Sequence, residues 1–115
     1  MDYQKSTDSQ TKDEAKVRKF LSKWQGGEAC IWEYTVSHRN LTIRVVSKNL
    51  PGNLHIGCTL CEHIAGPVKW EGCSFDLERQ SAESEEVGFV LRDEDSNFVV
   101  RCGGIEVFEN VKPVY

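Results

Sequence analysis

The stretch that decides the fold is residues 13–36, DEAKVRKFLSKWQGGEACIWEYTV, because the spacing of its apolar residues changes at the two glycines. Before the glycines, apolar residues recur at the three- and four-residue spacing of one helix face: Val17, Phe20, Leu21 and Trp24. After the glycines, apolar and polar residues alternate, which is the period of a β-strand. The stretch therefore predicts an amphipathic helix over residues 13–25, followed directly by a strand.

Both ends of this helix carry capping signals. Thr11 and Glu14 have the spacing of a capping box, in which two side chains bond to the first free backbone N–H groups. Gly26 and Gly27 tolerate the left-handed conformation that commonly follows a helix. We therefore expect Thr11 to cap the start of the helix and the glycine pair to end it.

The rest of the chain keeps a period close to two, which is typical of antiparallel strands joined by turns. The predicted strand segments are residues 30–36, 41–45, 54–64, 68–77, 87–91, 98–102 and 105–107. Turn-forming residues separate several of them, at residues 37–40, 49–53 and 93–97. The phase of the apolar residues inverts within the segment after Pro67, which predicts a β-bulge near residues 71–72.

These elements predict an α+β fold. We expect an N-terminal amphipathic helix packed on a six- or seven-stranded antiparallel meander sheet or partial barrel. Residues 1–10 are polar and aperiodic, which predicts a disordered N-terminal tail. Residues 11–115 are of the size and apolar content of a single domain, since 39% of the chain is hydrophobic.

Composition argues against several classes of partner. The chain has 14 Lys and Arg against 18 Asp and Glu, whereas affinity for nucleic acid comes from cations that neutralise phosphates. No apolar run approaches the roughly 18 residues of a membrane helix, and the first residues lack the apolar core of an export signal. We expect no nucleic-acid or membrane partner. The odd number of cysteines, 5, then indicates reduced thiols and a cytoplasmic protein.

Soft metal ligands concentrate in one segment. Cys58 and Cys61 form a C-x-x-C pair, His63 follows, and Cys73 lies further along the chain. This set would suit zinc, which takes about four sulfur or nitrogen ligands. However, an extended strand would send the two thiolates of the C-x-x-C pair to opposite faces. We therefore expect no cofactor, and keep a zinc- or thiol-dependent module as the alternative.

The same segment offers a weaker catalytic hypothesis. Cys61 and His63 are two residues apart and would share a strand face, as a thiol and its general base could. Such a spacing is unspecific, so a small enzyme is the minority prediction. The phase of the other cysteines places them among apolar residues, which leaves Cys61 as the thiol expected to be most accessible.

Aromatic residues give the remaining functional signal. Four of them fall on the predicted helix and strands: Trp24, Trp32, Tyr34 and Trp70. They could line a cleft for a small apolar ligand or a peptide, or they could simply fill the core. A strand edge at residues 107–115 could pair with a protein partner or a second copy, giving a homodimer. The sequence thus predicts a small cytosolic accessory or binding domain without catalytic activity.

Overall fold

The computed structural model describes residues 8–81 and 87–110. The helix and strands run in the order β1 (Asp8–Thr11), α1 (Glu14–Lys23), β2 (Glu28–Thr35), β3 (Asn40–Ser47), β4 (Leu50–Thr59), β5 (His63–Ala65), β6 (Lys69–Trp70), β7 (Asp76–Ser81), β8 (Val87–Asp93), β9 (Phe98–Cys102) and β10 (Gly104–Asn110). A short 3₁₀ turn, Glu94–Ser96, joins β8 to β9. The prediction of a mainly antiparallel α+β chain is confirmed.

The strands belong to two sheets, not to a single meander. The large sheet has the order β1-β10-β4-β3-β2-β6, and the small sheet has the order β5-β9-β8-β7. The division occurs where the sequence predicted one long strand over residues 54–64. β4 ends at Thr59, and Leu60 adopts a left-handed conformation with φ of 53°, so the chain turns and continues as β5 in the other sheet. The partial barrel is not confirmed.

The residue that caps the start of the helix is Asp13, two residues after the predicted cap, Thr11. The Asp13 carboxylate accepts hydrogen bonds from the backbone N–H groups of Ala15 and Lys16, at 3.0 and 3.2 Å. Thr11 instead accepts a bond from the N–H of Asp13, so the predicted capping box is wrong. At the other end, Trp24 is the C-cap and Gly26 has a φ of 93°, which only glycine adopts without strain.

One core joins the helix and both sheets. Its buried side chains include Val17 and Leu21 of the helix, Ile43, Ile56 and Val107 of the large sheet, and Leu91, Phe98 and Val100 of the small sheet. The helix also bonds to both sheets. Arg18 donates to the backbone carbonyl of Leu77 on β7, and the Trp24 indole donates to the Glu109 carboxylate on β10.

A register shift divides β2. Ile31 pairs with Ile43 of β3, and Glu33 pairs with Thr42, so Trp32 is an extra residue on the β2 side. Ala29 is buried and Ile31 is half-buried, so the strand phase before the insertion is the opposite of the predicted one, which placed Cys30 and Trp32 inward. After the insertion, Tyr34 pairs with the buried Leu41, yet Tyr34 and Val36 are exposed. That prediction is therefore wrong. The bulge expected at residues 71–72 is instead a loop between β6 and β7.

The first and last described strands pair with each other in the large sheet. β1 pairs with β10, so residues 8–10, which were assigned to the tail, form a strand. Residues 1–7 of the predicted tail lie outside the described residues. Residues 107–110 of the predicted free edge have β1 on one side and β4 on the other, and residues 111–115 lie outside the described residues. None of the described helices has the length and apolar character needed to cross a membrane.

Candidate functional site: the free edge of strand β2

The four aromatic residues singled out in the sequence are not brought together. Trp24 and Trp70 are buried, and the N–H of each indole donates to a carboxylate, Glu109 and Asp93 respectively, at 2.8 Å. Trp70 also packs against Phe98, with ring centroids 4.6 Å apart. Since both indoles are fully engaged in the interior, they are core residues.

Trp32 and Tyr34 lie on the surface instead. Trp32 is 55% exposed, Tyr34 42%, and nearby Val36 76%. Val68 joins them, since it is 69% exposed and its carbonyl accepts a hydrogen bond from the N–H of Ile31, the residue before Trp32. We call these four residues the β2 patch. The strand register places Trp32 on the face of Arg44 and Tyr34 opposite the buried Leu41, so the two rings flank the edge of β2 on different faces. Large exposed apolar side chains are typical of an interaction surface.

The backbone beside the β2 patch has a free edge. β6 pairs only with Ala29 and Cys30, and Val68 accepts one further bond from Ile31. Residues 33–35 pair with β3 on one side, and within residues 8–81 and 87–110 no strand pairs with the other side of residues 32–35. This edge carries no proline or lysine, while the insertion at Trp32 and the charged Glu33 are features that limit strand addition at other edges. Among the described strands, the edge is unpaired.

A cation lies directly on the patch. The Arg44 guanidinium stands 4.5 Å from the centroid of the Trp32 ring, from the neighbouring strand β3. Its Nε atom is buried and has no hydrogen-bond partner. The adjacent His55 has its pKa lowered by burial and, to a lesser extent, by the positive charge of Arg44. His55 is thus uncharged at neutral pH, and Arg44 is the charged group at this position of the sheet.

The same face of the large sheet also carries a shallow hollow of about 310 Å³. Gly57 forms part of its floor, and His55, Phe108, Thr42 and Glu106 stand around it. The Glu106 carboxylate accepts a hydrogen bond from the Gln10 amide at 2.7 Å. The hollow is lined by both polar and apolar groups and lies at the small end of the range for ligand pockets, about 300–1,000 Å³.

The predicted zinc ligands are dispersed. Cys58 and Cys61 are buried, and the Cys61 thiol donates to the carbonyl of Cys58 at 3.5 Å. Cys73 lies at the end of the helix, where its thiol donates to the carbonyl of Trp24, and His63 is exposed on β5. Among residues 8–81 and 87–110, no three His, Cys, Asp or Glu side chains are placed to hold a metal ion.

The thiol environments differ from those the sequence suggested. Cys61 follows the left-handed turn at Leu60 and is buried. The expectation that it is the most accessible thiol is therefore wrong, because Cys30 is only half-buried. Burial, together with the nearby Cys102, raises the pKa of Cys61 to about 11. The thiol therefore keeps its proton at neutral pH and is a weak nucleophile.

Cys102 is a neighbour of Cys58 that the sequence analysis did not connect with it. The pKa of Cys58 is raised by its hydrogen bond to Cys102 and by burial, while accepting that bond lowers the pKa of Cys102. Arg44 and Val68 were missed as well. An alternating pattern places Arg44 on the outward face, but outward charged residues are common and give no sign of a ring beneath them.

Comparisons with protein-family models, with curated proteins and with solved structures give no match for this chain. The function is accordingly inferred from the geometry of the β2 edge.

Proposed function

We propose that this protein is a non-catalytic binding module that accepts an extended segment of a partner protein along the free edge of β2. The observation that carries the proposal is the combination of an unpaired strand edge at residues 32–35 with the exposed β2 patch. Backbone groups on such an edge supply affinity for any extended chain, and side chains beside it supply selectivity. Both components occur here within one short stretch.

The apolar component is large enough to matter. A tryptophan or tyrosine side chain offers roughly 150–250 Å² of surface, and burial contributes about 25 cal/mol per Å². Trp32 and Tyr34 retain about half of their surface for a partner, at 55% and 42%. Together with Val36 and Val68, they provide a gross gain of several kcal/mol by the same coefficient, against the cost of ordering the incoming segment.

The other candidate functions have less support. A zinc- or thiol-dependent module would need Cys58, Cys61, His63 and Cys73 to converge, and they point to three different environments. A Cys61–His63 enzyme would need an accessible thiolate, whereas Cys61 is buried. A small apolar ligand would find only a small, shallow hollow at Gly57, with His55 and Glu106 among its lining residues. A cytoplasmic location remains part of the proposal and is supported by the five free cysteines.

The proposal can be tested with a phage-displayed library of random dodecapeptides, selected against the wild-type protein. We expect enriched peptides to bind wild type and the His63→Ala variant equally, because His63 is exposed on the other sheet. We expect them to lose about tenfold or more in affinity for Trp32→Ala and Tyr34→Lys, which remove apolar surface and place a charge at the edge.

Strand addition makes a second, sharper prediction for a synthetic copy of an enriched peptide. Alternate N–H groups of an added strand point toward β2, so N-methylation at one alternating set of positions should abolish binding. N-methylation at the intervening positions should leave binding nearly unchanged. Equal sensitivity at all positions, or binding that ignores Trp32, would overturn the proposal. A concentration-dependent dimer that Trp32→Ala abolishes in sedimentation would identify a second copy, not a partner, as the occupant and would also overturn it.

A further inference from the structure

The charge at the β2 patch identifies a feature of the partner. The Arg44 guanidinium is stacked on Trp32, at 4.5 Å from the ring centroid, and makes no ion pair or hydrogen bond within residues 8–81 and 87–110. Its Nε atom is buried without a partner, so an incoming carboxylate would reach the terminal Nη atoms of the guanidinium. A partly desolvated cation that lacks a partner is costly, and a carboxylate that reaches it recovers a charge-assisted hydrogen bond.

We infer that the incoming strand carries an aspartate or glutamate side chain that pairs with Arg44 beside Trp32. This inference rests on the proposed function, because the strand must add to β2 before its side chains can reach Arg44. The geometry suits it. Arg44 belongs to β3, and its guanidinium lies over the Trp32 ring of β2, the strand whose edge is free. A side chain on the same face of the added strand is therefore its nearest possible partner.

Glu33 is the competing charge at this edge, and its effect is smaller. Its side chain is exposed and hydrated, whereas Arg44 is half-buried and its Nε is buried. Charges that remain in water interact by about 1 kcal/mol or less, since solvent and salt screen them. Desolvated charge-assisted bonds are stronger. Arg44 should therefore decide the sign of the charge that the partner presents.

The planar form of the arginine also matters. Guanidinium stacks on an indole ring and forms two parallel hydrogen bonds to a carboxylate, which the compact ammonium of lysine does not do. An Arg44→Lys variant keeps the positive charge but loses this geometry. We therefore expect Arg44→Lys to bind an acidic peptide with an affinity between those of wild type and Arg44→Gln.

The test uses the peptides enriched from the dodecapeptide library, each synthesised with its acidic residue intact or replaced by the neutral amide. On wild type, the change to the amide should weaken binding by about tenfold. On Arg44→Gln the same change should have less than about a twofold effect, because the partner of the carboxylate is gone. Arg101→Gln, at an exposed arginine of the small sheet, is the matched control and should behave as wild type.

The outcomes separate this inference from the proposed function. Enriched peptides that need Trp32 but lack acidic residues, or whose carboxylate effect is the same on Arg44→Gln, would overturn the inference and leave the proposed function standing. Peptides that bind independently of Trp32, or no enriched peptides at all, would overturn both. If Arg44→Gln fails to fold by circular dichroism, the amide substitution in the peptide still tests the inference, because an unchanged affinity for wild type contradicts it.

Discussion

The two halves of strand β2 differ in burial and in the number of strands they pair with, although both halves contain large apolar residues. In the first half, Ala29 and Cys30 lie between β3 and β6, and Ala29 is completely buried. In the second half, residues 32–35 have β3 on one side only, and Trp32 is more than half exposed. The extra residue at Trp32 marks the boundary. The first half of β2 thus contributes to the core and the second half to the surface, because β6 pairs with the first half only.

The largest expected difference between the two halves of β2 is in the stability lost when the tryptophan of each half, Trp70 on β6 or Trp32 on β2, is replaced by alanine. Trp70, which pairs with Ala29, is buried against Phe98, and we expect Trp70→Ala to lower the free energy of unfolding by about 3–5 kcal/mol. Trp32→Ala should cost less than about 1 kcal/mol, since its ring is largely in water. Urea unfolding curves measure both. Similar losses for the two variants would contradict the division of β2.

The carboxylate that holds Trp70 gives the next largest expected effect. Asp93 is completely buried, and its Oδ2 accepts bonds from the Trp70 indole and from the N–H of Ser74. Asp93→Ala leaves both donors without that acceptor, so we expect a loss of about 2 kcal/mol or more. Asp93→Asn keeps an oxygen in place and should lose less. Equal losses in urea unfolding would mean that the acceptor is not what matters.

Alkaline pH should weaken the interior. The pKa values of Cys61 and Cys73 are raised from 9.0 to about 11, for both chiefly by burial. Below pH 9 the two thiols keep their protons in both the folded and the unfolded protein. Above pH 9 the thiols of the unfolded chain lose their protons first, so the free energy of unfolding falls as the pH rises toward 11. Serine at both positions should flatten the fall. An equally steep fall in that variant would assign it to other groups.

The smallest expected effect concerns His55, beside Arg44. Burial and then the charge of Arg44 lower its pKa below 6.5. The neutral imidazole is favoured in the folded state, so this contribution to stability is present above pH 6.5 and is lost as the pH falls below it. Arg44→Gln should move the pKa of His55 back toward 6.5 without restoring it fully, as measured by NMR titration. An unchanged pKa would show that Arg44 does not act on His55.

The apolar spacing predicted one helix, and the structure has one helix in that stretch, Glu14–Lys23, with Val17 and Leu21 buried. The prediction missed the cap by two residues since Thr11 and Asp13 are both good capping residues, and only the three-dimensional path of the chain selects Asp13. It missed the division into two sheets for a related reason. The turn is made by Leu60 in a left-handed conformation, which glycine or asparagine would have signalled.

The candidate site was predicted in part. Trp32 and Tyr34 were predicted as candidate site residues, but they were grouped with Trp24 and Trp70. The sequence could not separate the two pairs, because the hydrophobicity of an aromatic residue does not show whether its ring is buried or exposed. What separates them is the short length of β6, Lys69–Trp70, which covers only the start of β2. No glycine signals the insertion at Trp32, which changes the strand phase between Ile31 and Glu33, so a single alternating pattern could not describe the whole strand.

The exposure of Trp32 also gives the protein an optical reporter. Of the 3 tryptophans, Trp24 and Trp70 are buried and Trp32 alone faces water. Its emission is therefore the red-shifted component of the intrinsic fluorescence, and the component that a soluble quencher reaches first. We expect a molecule that binds over Trp32 to shift the emission of this tryptophan to the blue and to protect it from quenching. Occupancy can thus be followed in the unlabelled, wild-type chain.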